Sequence, residues 1–284
     1  MAIFQDTTCD IAVDPNNGDI VYVLSYNSLY KSTDTGDSFA DMRFPEGMHG
    51  AGRMAVRPGN SNILYVAGTF RANNKGCLAI LKSGDGGQTW TAVKFDTGAA
   101  YSTCVGIAVS PKNPNIIYFC GYFYGANSRS YKRVYRSKNG GNSWDNITGP
   151  ILNQKDTTPS GLAVDPNQAN ILYAPSGSLN DLGVYKSTDG GASWTQLAIP
   201  AGFDILCLAV DPEASGTLYF GGGSGIFKSR DGGSSWAELT GAYNAKSMAV
   251  NPKNGNEVFV ETGPAFFTAR TRARPGRTSA RACP

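Results

Sequence analysis

Two sets among the acidic residues of this 284-residue chain have different chemical prospects. Asp34, Asp85, Asp189 and Asp231 stand in one short recurring pattern. It reads STDTGDSF (32–39), SGDGGQTW (83–90), SKNGGNSW (137–144), STDGGASW (187–194) and SRDGGSSW (229–236). Such carboxylates could act as general acids or bind calcium, but a single active site does not draw one acid from every repeat. The same side chain in a turn holds backbone amides. The third copy carries Asn139, an amide that makes similar turn bonds without charge. The glycines at 36, 86–87, 140–141, 190–191 and 232–233 supply positive φ without a Cβ clash. These acids therefore read as turn staples. The closing aromatics Phe39, Trp90, Trp144, Trp194 and Trp236 are expected to pack over the turn and between repeats.

The second set is Glu46, Asp96, Asp156, Asp181 and Asp204, which lie between the repeated segments. A glycosidase needs two carboxylates about 5–9.5 Å apart across a cleft. Asp96, Asp156 and Asp204 are the catalytic candidates of that kind, and spacing alone does not pair them. Long loops are read at 68–77, 121–132, 148–160 and 175–182, and a cluster of rings and cations falls among them. Residues 68–77, 95–104 and 121–132 gather Phe70, Arg71, Tyr101, Tyr122, Phe123, Tyr124, Arg129 and Tyr131. Aromatic faces with polar rims suit sugar rings, so these residues are the candidate ligand contacts; several of them could equally fill gaps in a core. One histidine, His49, and no Cys-x-x-Cys pair give no basis for a metal site, and nothing implies a cofactor.

The elements that must position these residues follow from internal repetition. Six segments share a pattern: IAVDP (11–15), MAVRP (54–58), IAVSP (107–111), LAVDP (162–166), LAVDP (208–212) and MAVNP (248–252). Each is followed by a second apolar run such as NILYV, and five by a third such as GVYKS, then the Asp turn and a short fourth run. Runs of four to six residues rich in Val, Ile, Leu, Tyr and Phe read as strands. The proline ends the first strand because it cannot donate to a ladder. The near-continuous apolar first runs suggest strands buried on both faces. Four-stranded units at this period predict an all-β fold, a single β-propeller of six or seven blades. Residues 2–7 could supply an outer strand.

The repeated S-x-D-x-G-x-[ST]-W resembles the Asp-box, or BNR repeat. That repeat occurs in sialidases, xyloglucanase-type glycoside hydrolases, sortilin-type receptors and photosystem II assembly factors. The resemblance covers residues 11 to about 263. It implies that ligands use the face away from the boxes, and that the chain is secreted or periplasmic. No R-I-P motif of the sialidase kind is present. Xyloglucanases place their acids between two propellers, and one is read here. The expectation is a binding propeller for a polysaccharide or protein partner. The alternatives are a glycoside hydrolase, or a fragment of one, and an assembly factor for a membrane complex.

The net charge of +3 is uneven. Arg270, Arg272, Arg274, Arg277 and Arg281 fall in the last 21 residues, and the rest of the chain holds 20 basic and 22 acidic residues. That body offers no basic patch for nucleic acid. No apolar run is long enough for a membrane-spanning helix, and no signal peptide opens the chain. Cysteines stand at 9, 77, 104, 120, 207 and 283; Cys104 and Cys120 fall near enough in paired strands for a disulfide or for two free thiols. Residues 264–284 break the repeat and are set apart from the propeller at 1–263. They are either a native basic tail or a frameshifted blade end. Codons read from the third base of codon 264 permit G-[VLIF]-[FL]-[YH]-S-T-D-x-G-x-T-W, then T-[DN]-[IVL]-S-A-G-L-P.

Overall fold

The computed structural model describes residues 8–72, 75–95, 99–125, 130–149, 160–178, 181–200, 203–223, 225–240, 244–262, 266–270 and 280–282. Among them every element is a strand. The chain divides into two compact units, Met1–Ile147 and Thr148–Pro284.

The first unit holds three antiparallel four-stranded sheets. Sheet one is β1 (Thr8–Val13), β2 (Val21–Ser25), β3 (Leu29–Ser32) and β4 (Ala40–Asp41). Sheet two is β5 (Met48–Val56), β6 (Leu64–Ala72), β7 (Lys75–Ser83) and β8 (Thr91–Phe95). Sheet three is β9 (Ala99–Val109), β10 (Ile117–Gly125), β11 (Ser130–Ser137) and β12 (Asp145–Asn146). The second unit holds sheet four, β13 (Ala163–Val164), β14 (Leu172–Ser178), β15 (Asp181–Ser187) and β16 (Thr195–Leu197). Sheet five is β17 (Cys207–Val210), β18 (Leu218–Gly222), β19 (Gly225–Ser229) and β20 (Ala237–Thr240). Sheet six is β21 (Ser247–Val250), β22 (Glu257–Glu261), β23 (Phe266–Arg270) and β24 (Ala280–Ala282).

Each sheet is a meander in sequence order, and within a unit the first strands neighbour one another. Such sheets are the blades of a β-propeller. Five of them carry the repeated Asp or Asn turn between third and fourth strands. The sixth does not, and its last two strands lie in the segment set apart at 264. The proposed outer strand at 2–7 lies outside the described residues.

Apolar layers between neighbouring sheets hold each unit together. Tyr22, Leu24 and Leu29 pack with Met54, Leu64 and Val66 between sheets one and two. Tyr65, Ile80, Phe119 and Phe123 do so between two and three. Tyr173 and Val184 meet Leu218 and Phe220 between four and five, and Tyr219 and Ile226 meet Val258 and Val260 between five and six. Tyr22, Tyr65, Tyr118, Tyr173 and Tyr219 are all fully buried second-strand residues.

The expectation that first strands are buried on both faces is corrected. Ile11 and Val13 are 62% and 56% exposed, whereas β18 and β19 are buried throughout. The sheet order explains this. A first strand is an edge with a neighbour on one side only, while second and third strands are flanked on both.

Three of the segments read as long loops are also corrected, 175–182 among them, where Pro175 pairs with Val184 and Ser178 with Asp181. Residues 68–77 are mostly ladder, with Phe70 opposite Cys77 and Ala72 opposite Lys75. In 121–132, Tyr122 pairs with Lys132 and Tyr124 with Ser130. Long antiparallel pairing satisfies the backbone polar groups that an irregular loop would leave to solvent. Cys104 and Cys120 lie in adjacent strands on either side of an irregularity, opposite Gly121 and Gly106 respectively. Both are thiols and not a disulfide, and burial pushes Cys104 up to about 12.

Candidate functional site

The five turns share one geometry. Ser83 Oγ donates to Asp85 Oδ1 (2.8 Å) and accepts the amides of Asp85 (3.3 Å) and Gly87 (2.8 Å). Asp85 Oδ1 accepts the Thr89 amide (2.8 Å), and Oδ2 accepts the Thr89 hydroxyl (2.5 Å). Asp34, Asp189 and Asp231 repeat this with Ser38, Ser193 and Ser235. At Asn139, Oδ1 accepts the Ser143 amide (2.9 Å) and Nδ2 donates to Ser143 Oγ (2.8 Å), so the hydroxyl accepts instead of donating. These donors hold the carboxyls below their ordinary value of 3.8. The Ser32 hydroxyl leads for Asp34, Thr89 for Asp85 and Ser193 for Asp189, each lowered to about 2. The Ser235 hydroxyl leads for Asp231, which is also lowered. Every carboxylate is committed to its own turn, as expected of a staple.

The serine that opens each turn was not singled out from sequence. Ser32, Ser83, Ser137, Ser187 and Ser229 are all buried. Ser83→Ala removes a hydroxyl that serves three partners and strands a buried glycine amide. The expected cost is about 1–3 kcal/mol, a fall of roughly 2–4 °C in melting midpoint per kcal/mol. Thermal denaturation of the single variant checks this, and an unchanged midpoint would refute it.

Three of the four tryptophans reach toward the preceding sheet. Trp144 packs edge-on against Phe95 of β8 and Phe119 of β10, at 6.1 and 5.1 Å. Trp236 Nε1 donates to Ala198 O beyond β16 (3.0 Å). Trp194 Nε1 donates to Gly191 O of its own turn (3.1 Å). Trp90 packs edge-on against Phe44 at 5.7 Å.

A second repeated device links neighbouring sheets at the turn end. Tyr65 OH donates to Gly140 O in the next turn (3.1 Å), and Lys82 Nζ to Asn142 Oδ1 (3.0 Å). Lys186 Nζ donates to Gly232 O (3.0 Å), and Tyr219 OH bonds Gly255 O. Asp165, buried in the second unit, accepts Ser215 Oγ (2.7 Å) and the Gly216 amide (3.0 Å). Asp165 of the fourth Ala-Val-Asp-Pro-type segment thus joins sheet four to sheet five.

The opposite end of the sheets carries the candidate ligand contacts. In β10, Tyr122 and Tyr124 share one face, because side chains alternate along a strand. Their rings stack at 6.5 Å, and Lys132 Nζ stands 5.7 Å from the Tyr122 ring centre. Tyr124 is 41% exposed, while Phe123 on the other face is fully buried. Arg71 is exposed at the same end of sheet two. Phe70 is buried in the layer between sheets one and two, with Lys94 Nζ 3.7 Å from its ring centre. The register sets Tyr101 opposite Tyr124 and Tyr131 opposite Phe123. Arg129 lies outside the described residues.

Sequence reasoning missed Tyr26, which is 47% exposed in the short turn between β2 and β3. Its only signal was a ring inside the tight turn Ser25–Ser28. His49 is an exposed residue of β5. Of the acids, Glu46 is exposed. Asp204 Oδ1 accepts the Gly223 amide (2.6 Å) and so braces the turn between β18 and β19. Asp96 and Asp156 lie outside the described residues, as does the side chain of Asp181.

The architecture and its repeated turns define a β-propeller protein. Solved structures agree at the level of fold. The Niastella koreensis GH74 enzyme is 21% identical with a TM-score of 0.73, covering 96% of this chain and 46% of its own. An ancestral GH74 enzyme is 23% identical with a TM-score of 0.73, covering 96% and 38%. YCF48 bound to a D1 peptide is 16% identical with a TM-score of 0.62, covering 93% and 78%. The chain spans less than half the length of these GH74 enzymes. No protein-family model and no curated protein matches it.

Proposed function

We propose that the protein is a binding propeller that takes a glycan or protein partner on the end of the sheets opposite the Asp turns. The observation that carries this reading is the stacked Tyr122–Tyr124 pair, displayed on β10 with Lys132 beside it. Arg71 and Tyr26 stand at the same end of sheets two and one, and Tyr101 and Arg129 belong to this reading by position. Aromatic faces bind sugar rings or peptide side chains, with cations at the rim for polar groups. A GH74 xyloglucanase and a YCF48 bound to a D1 peptide share the fold, which supports a polysaccharide or a peptide as the ligand. A setting outside the cytoplasm, where polysaccharides are met, is part of the same reading.

Hydrolysis is the second reading, and the GH74 likeness is the observation that favours it. It needs two facing carboxylates. Asp204 is the described candidate, with Asp96 and Asp156 as its possible counterparts. Binding and released reducing ends, measured together on a polysaccharide panel that includes xyloglucan, separate the two. Binding without release is expected, and Tyr124→Ala should weaken it about two- to tenfold, as an aromatic contact worth ~0.5–1.5 kcal/mol implies. Its melting midpoint should stay unchanged. Release of reducing ends that stops in Asp204→Asn would establish the enzyme instead. Unaltered binding by Tyr124→Ala would remove the aromatic pair from the site.

A further inference from the structure

Sheet six is built to receive the turn that it lacks. In the other five sheets the serine that opens the turn stands opposite the same second-strand position. Val21 faces Ser32, Leu64 faces Ser83, Ile117 faces Ser137, Leu172 faces Ser187 and Leu218 faces Ser229. In sheet six the equivalent residue, Val258, faces Ala269, which has no hydroxyl to hold a turn.

The docking point for a turn is equally regular. An amide of each turn donates to the carbonyl two residues before that second-strand position. The pairs are Thr35 to Asp19, Gly86 to Asn62, Gly140 to Asn115, Gly190 to Asn170 and Gly232 to Gly216, all at 2.8–2.9 Å. Asn256 occupies that place in sheet six. The lysine of the preceding sheet is also present. Lys82 and Lys186 reach into the next sheet's turn, whereas Lys228 Nζ bonds Asn256 Oδ1 (3.1 Å).

We infer that the occupant of this surface is a sixth Asp-box hairpin, encoded by the same nucleotides as residues 265–284 but in another frame, and displaced by the loss of one base near codon 264. The register supplies the test that degenerate codons alone do not. Ser32 follows Val21 by eleven residues, and Ser229 follows Leu218 by eleven. Restoring one base ahead of codon 265 puts the serine of S-T-D-x-G-x-T-W at position 269, eleven residues after Val258 and opposite it. Its aspartate then falls two residues on and its tryptophan seven on, as in Ser83, Asp85 and Trp90. Removing two bases instead would put that serine one place short of the register. The five arginines and Cys283 are, on this inference, products of the displaced frame.

The experiment is to read the source nucleotides across codons 262–284 and to express the chain with the base restored. The serine requires ACA at Thr268. The aspartate and glycine require codons ending in G at Arg270 and Arg272, and the tryptophan requires CCT at Pro275. All four are expected, and a different base at any of them overturns the inference. The restored chain is expected to melt at a higher temperature than the chain as given. Replacing the restored hairpin's serine by alanine should return most of that gain. A restored chain that melts no higher would overturn the docking of the hairpin on sheet six, whatever its bases read.

Discussion

Tyr65→Ala should be among the most damaging single substitutions in the first unit, lowering its stability by about 3–5 kcal/mol. Tyr65 is fully buried between sheets two and three, against Ile117 and Phe119. Removing a ring of that size leaves a cavity that flanking strands, pinned by their ladders, cannot close. At roughly 2–4 °C per kcal/mol the midpoint should fall by about 6–20 °C. Tyr65→Phe separates the two contributions, because it keeps the ring and removes only the hydroxyl, with its bond to Gly140 O and its interaction with Arg57. Its cost should be about 1 kcal/mol. Denaturant titration of both variants checks the ratio. An alanine variant no worse than the phenylalanine one would show that the ring is not part of the packing.

Acid should unfold the protein over a window set by the turn carboxylates. In Asp34, Asp85 and Asp189 the folded value lies near 2, against an ordinary 3.8, and Asp231 is also lowered. A carboxyl whose folded value is depressed contributes stability that is full above its unfolded value and is lost as pH falls through the folded one. The loss should therefore begin just below pH 4 and continue toward pH 2, with four groups titrating in parallel. Asp10 acts in the opposite sense. Burial raises its carboxyl, so it takes up a proton more readily in the folded chain and offsets part of the loss. Melting midpoints recorded from pH 6 to pH 2.5 should be flat and then fall steeply. Asp85→Asn should keep the turn at neutral pH, because Asn139 already makes the equivalent bonds. It should also make the acid limb shallower. A midpoint unaffected between pH 4 and pH 2.5 would refute the role of these acids.

The repeat, the strand order and the sheets were legible because proline, glycine and the Ser-x-Asp turn punctuate short apolar runs at a regular interval. Other features were hidden for physical reasons. Tyr22, Tyr65, Tyr118, Tyr173 and Tyr219 recur at one place in the pattern, as do Lys31, Lys82, Arg136, Lys186 and Lys228. In a strand, a tyrosine reads as one more apolar residue, and the partner of its hydroxyl lies in the next sheet, some forty to eighty residues away. The extensions of β6–β7 and β10–β11 were read as loops because Arg71–Lys75 and Gly125–Ser130 are polar, although ladder pairing asks nothing of side-chain polarity. In the candidate site, Tyr122 and Tyr124 were read only as members of a larger ring cluster, and the strand register sets them on one face of β10. Phe70 was grouped with them because residues 68–77 and 121–132 belong to neighbouring repeats, yet the strand's alternation turns it into the core.

The links between neighbouring sheets have a direction. In sheets two and five a tyrosine donates on one side, and in sheets three and six a backbone carbonyl receives it on the other. An interface that joins unlike halves head to tail fits itself. A copied blade therefore arrives with both the plug and the socket that its new neighbours require, and no further substitution is needed to seat it. In such a chain the number of blades can change by whole units through duplication or deletion of a single repeat, while nearly every contact within a blade stays as it was.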